Sequence, residues 1–68
     1  MEEKEFALLR MALDNLIKVH PHLTEQYKYQ VMLDQLGGRA LKLTKSFMYA
    51  SQPYTEALAA LTDKYGQP

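Results

Sequence analysis

Thr24-Glu25-Gln26-Tyr27-Lys28-Tyr29-Gln30-Val31-Met32-Leu33-Asp34-Gln35-Leu36-Gly37-Gly38-Arg39-Ala40 holds a helix start, a helix and a helix stop in one run. The Thr24 hydroxyl suits an N-cap, Glu25 places negative charge in the first turn, and Gly37-Gly38 ends what they begin. Between these marks Tyr29, Met32, Leu33 and Leu36 recur at three- and four-residue spacing, the pattern of a helix with one buried face. The helix is expected to run to Leu36. Tyr27 and Val31, spaced i,i+4, point more than about 100° away from that stripe, so a monomer's core does not account for them.

The neighbouring segments follow the same logic. Upstream, Glu2 to about Val19 predicts a helix with an acidic first turn, stopped at His20-Pro21 because proline disfavours helical geometry in the residue before it. Phe6, Leu9, Leu13, Leu16 and Ile17 form its core stripe. Leu8, Ala12 and Val19 widen the apolar arc to about half the circumference, more than one neighbouring helix covers, and Met11 falls on the polar side. Downstream, Arg39 to about Met48 predicts a short helix with Ala40, Leu43, Thr44 and Phe47 inward and Arg39, Lys42, Lys45 and Ser46 outward. Residues 49–53 break it. Ser51 or Gln52 caps a last helix with Pro53 in its first turn and Tyr54, Ala57, Leu58, Leu61 and Tyr65 on its stripe; Gly66 is the expected C′ residue, with Pro68 beyond. No segment alternates as a strand does. The expected fold is all-α, a small four-helix orthogonal bundle occupying residues 1–68 as one domain.

Length and composition narrow the function. At 68 residues the chain is near the lower limit for a self-sufficient apolar core, so part of its apolar surface is expected to be buried in a partner. Hydrophobic residues make up 47% and charged residues 24%, which excludes a disordered tail. The absence of cysteine removes disulfides, zinc knuckles and thiolate nucleophiles. No apolar run reaches the roughly 20 residues of a membrane span, and Met1-Glu2-Glu3-Lys4-Glu5 is too acidic to open a signal peptide. A soluble chain in the cytoplasm is the expectation. Eight basic residues balance eight acidic ones, so there is no general basic field for nucleic acid and little charge to oppose self-association.

The chemistry of an enzyme is missing, and neither a catalytic residue nor a cofactor is expected. His20-Pro21-His22 supplies two nitrogens without a nearby cysteine or carboxylate; it reads as a polar turn rather than a metal site. Gly37-Gly38-Arg39 precedes a helix but lacks the spacing and the Lys-Ser/Thr of a phosphate-binding loop. Arg39, Lys42 and Lys45 form a candidate basic contact face whose ordinary explanation is solvation. Of the five tyrosines, Tyr29, Tyr54 and Tyr65 lie on core stripes, leaving Tyr27 and Tyr49 more open to binding.

Leu23-Thr24, then Lys28-Tyr29, then Leu36-x-Gly38-x-Ala40, then Tyr54-x-x-Ala57-Leu58-x-x-Leu61-x-x-x-Tyr65-Gly66 resembles the Gag-like capsid region of retroelements, most closely the BEL/Pao type. The order and spacing of these elements carry the resemblance, because each alone is common. It implies a retroviral capsid C-terminal-domain-like lobe, retroelement or host-domesticated, that assembles into a shell. The Trp-containing opening usual in that family is missing, and Tyr65-Gly66-Gln67-Pro68 reads as a cut through a longer polyprotein.

The expected function is therefore structural: dimerisation and capsid assembly through Leu8, Met11, Ala12, Val19, Tyr27 and Val31. The expected partners are a second copy and a neighbouring capsid lobe, with no membrane and with nucleic acid reached only through regions outside this chain. The alternative is a host-adapted lobe that binds a peptide of another protein on the same surface. A nucleic-acid-binding helical domain using Arg39, Lys42 and Lys45 ranks third.

Overall fold

Met32, Ala57 and Leu61 are completely removed from solvent, and around them close Phe6, Leu9, Leu13, Tyr29, Ala40, Thr44 and Tyr54. A computed structural model describes residues 2–66 and distributes this core over four helices: α1 (Glu3–Val19), α2 (Glu25–Gln35), α3 (Gly38–Lys45) and α4 (Pro53–Tyr65). No strand occurs among the described residues. The fold is all-α. α2 and α4 pack on each other and each also touches both remaining helices, whereas α1 and α3 flank the pair without packing together. Each helix contributes its predicted stripe. Ile17, Leu33, Leu36, Leu43, Phe47, Leu58 and Tyr65 pack half-buried around the centre, and Leu16, at the edge of the α1 arc, is also only half-buried.

Local chemistry sets the ends. The Thr24 hydroxyl accepts the Tyr27 N–H at 3.1 Å, the expected cap of α2. Pro53 occupies the first turn of α4, with Gln52 as its N-cap. Between α2 and α3, Gly38 adopts φ +57°, a left-handed conformation that a side chain disfavours, so this joint selects glycine.

α1 starts at Glu3 and α3 at Gly38, each one residue from expectation, and the ends of α2, α3 and α4 differ as well. α2 ends at Gln35, because Leu36 is already extended (φ −106°, ψ 158°) to lead into the Gly37-Gly38 joint. α3 ends at Lys45 rather than near Met48. The buried Tyr29 hydroxyl donates to the Thr44 carbonyl, the acceptor that a continuing α-helix would offer the Met48 N–H, and Met48 bonds instead to Lys45, three residues back. At the end of α4, Gly66 is not a left-handed C′ residue. It sits at the C-cap with φ −94° and donates to the Thr62 carbonyl at 2.9 Å. Its selection comes from crowding: a Cβ there would stand 2.8 Å from the Thr62 carbonyl oxygen and 3.1 Å from the Phe6 ring. Pro68, expected just beyond, lies outside the described residues.

Candidate functional site

α1 buries one face against α2 and α4 and leaves the opposite face bare. On that bare face Leu8 and Met11 are each 67% exposed, Val19 is 61% exposed, and Ala12 and Asn15 lie between them, also exposed. At about 100° per residue these five fall within roughly one third of the circumference. Tyr27 of α2 is likewise open. Val31 is not: it is half-buried and packs against the core, because α2 meets three other helices and little of its circumference remains free. Of the six residues expected to mediate self-association, the structure therefore exposes Leu8, Met11, Ala12, Val19 and Tyr27 and partly withdraws Val31.

On the far side of the α2–α4 pair, Arg39, Lys42 and Lys45 are exposed on the outer face of α3. The ion pairs among the described residues join other groups, Arg10 to Asp14 at 3.7 Å and Lys28 to Glu25 at 3.1 Å. Met48 is half exposed and Tyr49 is 96% exposed in the turn that continues α3. His20 and His22 stand in the exposed turn after α1.

Two features had no signal in the sequence. The first is a clasp between α2 and α4. The Glu25 carboxylate accepts the Thr55 N–H at 3.0 Å and the Thr55 hydroxyl at 2.9 Å, so it occupies the positive end of α4 as well as lying in the first turn of α2. Burial alone would raise its pKa, but the bonds from Thr55 and Lys28 outweigh that effect and hold it below the ordinary carboxylate value. The partners are thirty residues apart, and nothing in either local pattern links them. The second is an open groove of about 480 Å³ between α1 and α4, lined by Arg10, Tyr54, Thr55, Leu58, Thr62 and Asp63 among others. Arg10 reaches Thr62 at 3.4 Å through one terminal nitrogen, while its buried Nε and the buried Tyr54 hydroxyl have no hydrogen-bond partner. Burial, then the negative charges of Asp14 and Glu25, raise the Tyr54 pKa against the opposing effect of Arg10.

In comparison with known proteins, no family model, no curated protein and no solved structure matches the chain.

Proposed function

We propose that this chain is a self-association domain of a Gag-like capsid protein, a lobe that pairs with a second copy of itself as a unit of shell assembly. The observation that carries the reading is the exposed apolar stripe of Leu8, Met11, Ala12 and Val19, on a helix whose other face already fills the core. The Leu36-x-Gly38-x-Ala40 joint and the Tyr54-to-Gly66 helix, which resemble the retroelement capsid pattern, support it from the sequence. The stripe is also self-complementary. In an antiparallel pair of α1 helices related by a two-fold axis, Leu8 of one copy meets Val19 of the other and Ala12 meets Asn15. A specific contact of about 600 Å² a side would use roughly one eighth of the 4841 Å² surface.

Sedimentation from about 10 μM to 1 mM tests this, a range matched to a weak reversible dimer. The wild-type chain is expected to dimerise and a Leu8→Glu, Val19→Glu variant to remain monomeric with an unchanged helical spectrum. Dimerisation that survives both substitutions would remove α1 as the interface. A wild-type chain monomeric throughout would overturn autonomous pairing.

The groove between α1 and α4 favours a second reading, a peptide-binding module. Leu58 and Ala59 line it with apolar area, and Thr62 and Asp63 set polar groups beside them, the mixture a bound peptide segment uses. A chain monomeric at millimolar concentration that binds peptide saturably would select this reading over the first.

A further inference from the structure

We infer that the outer face of α3 and the turn that follows it is a contact surface for single-stranded nucleic acid, with Arg39, Lys42 and Lys45 on the phosphates and Tyr49 as the stacking platform. The charge pattern is the first ground. From Gln35 to Thr55 the chain has no acidic residue, and these three cations are its only charged side chains. All three are exposed, and none joins either ion pair of the described residues. A neutral protein thus carries a local excess of positive charge on one short helix.

The second ground is how the turn after α3 is wound. Ser46, Phe47 and Met48 donate their N–H groups to carbonyls three residues back, at 3.1, 3.1 and 3.2 Å, so the chain continues at about three residues per turn. That winding returns Phe47 to the buried side and leaves Tyr49 in the tight turn directly beyond Lys45, with Ala50 bonded back to Phe47 at 3.0 Å. Exposure agrees: Phe47 packs against the core, whereas Tyr49 is 96% exposed. Arg39 and Lys45 are separated by about 9 Å along the helix axis, and Tyr49 follows four residues later in the turn. The row is long enough to follow several nucleotides of an extended strand, cations first and a ring at its end.

The aromatic ring decides the class of partner. An acidic peptide or a duplex offers charge to the lysines but no open base to the ring, while a single strand offers both. Insertion into a lipid surface would need an apolar helix face, and that of α3 is already committed to the core through Ala40 and Thr44, with Leu43 beside them. α3 does not pack on α1, so this face belongs to a different helix from the Leu8–Val19 stripe. The inference therefore stands independently of self-association.

Fluorescence anisotropy with a labelled oligouridylate strand of about a dozen nucleotides tests it, a length within the range one small domain covers. Binding is expected at low salt, with log K falling against log salt at a slope of about −2 for three phosphate contacts. Lys42→Glu with Lys45→Glu is expected to reduce affinity at least tenfold, by roughly one decade or more of K. Tyr49→Ala is expected to weaken binding by roughly 5- to 150-fold, the range for losing one stacked base. All three side chains are exposed, and an unchanged circular dichroism spectrum verifies that the variants fold. No binding at low salt would overturn the inference. So would equal affinity for a duplex of the same length, an unaltered affinity in Tyr49→Ala, or tighter binding to phosphatidylserine vesicles than to the oligonucleotide.

Discussion

Glu25 and Tyr29 stand one helical turn apart on α2, and each closes the end of a different helix. The Glu25 carboxylate takes the Thr55 N–H at the start of α4, and the Tyr29 hydroxyl donates to the Thr44 carbonyl near the end of α3. Lys28, beside them, bonds Glu25 at 3.1 Å and lies 4.9 Å from the centre of the Tyr54 ring. α2 thus supplies polar closures to both helices that follow it, in addition to Met32 at the core.

Glu25→Gln is expected to cost about 1–2 kcal/mol at neutral pH, the range for a helix cap with charge-assisted bonds. The cost should depend on pH. The folded state holds the Glu25 carboxyl below its ordinary value of 4.5, so its contribution is full above that value and is lost as pH falls through the folded pKa. Urea unfolding followed by circular dichroism should therefore show a wild-type advantage at about pH 6 that shrinks toward pH 3. An advantage independent of pH would mean that the carboxylate charge does not contribute.

Tyr29→Phe keeps the ring in the core and removes only the donor to Thr44. A loss of about 1 kcal/mol is expected, since the Thr44 carbonyl retains the Phe47 N–H at 3.1 Å. With the competing donor gone, the Met48 amide should gain protection from hydrogen exchange as the last turn of α3 relaxes toward α-helical pairing. Unchanged exchange at Met48 would show that the hydroxyl is not what ends the helix.

The legible parts of this fold are those encoded locally. Tyr29, Met32, Ala57 and Leu61 repeat at helical spacing, and Thr24 and Pro53 mark starts by their own chemistry, so the four helices and their core stripes could be read directly. The end of α3 could not, because it depends on Tyr29 in another helix. Val31 was misplaced for a related reason: spacing gives its direction on α2 but not how many helices surround α2. On the surface, Leu8, Ala12 and Val19 were visible as excess apolar arc, whereas the groove beside Arg10 and Tyr54 arises only when α1 and α4 meet.

Gly66→Ala is expected to destabilise by about 1–3 kcal/mol, the usual range for overpacking, although φ −94° suits alanine. The new methyl would press on the Thr62 carbonyl oxygen, which the backbone cannot move cheaply, and on the Phe6 ring. Gly37→Ala is the control: no atom lies within 4 Å of its Cβ position and its φ of −147° is extended backbone open to any residue. Thermal melts of the two variants should separate clearly, and equal stability would refute the crowding at Gly66.

Val31→Asp and Tyr27→Ala, one turn apart on α2, should behave differently in a dilute monomer. The aspartate places a charge against the partly buried edge of the core and is expected to cost about 1–3 kcal/mol. Tyr27 is 55% exposed, and its truncation is expected to stay within about 0.5 kcal/mol. Denaturant titration below the dimerisation range measures both. A stable Val31→Asp monomer would return that residue to the free surface.

Tyr54→Phe removes a buried hydroxyl that has no hydrogen-bond partner, and it should be neutral or stabilising by up to about 1 kcal/mol. Alkaline pH should widen the difference. Burial raises the Tyr54 pKa above the ordinary value of 10, so the wild-type chain keeps its stability below that value and loses it as pH rises toward the folded pKa, because the unfolded state ionises first. Phenylalanine cannot ionise, leaving the variant with only the similar effect at Tyr29. Unfolding titrations at neutral pH and above pH 10 measure both effects. A loss of more than about 1 kcal/mol at neutral pH would mean that the hydroxyl is hydrogen-bonded in the folded chain.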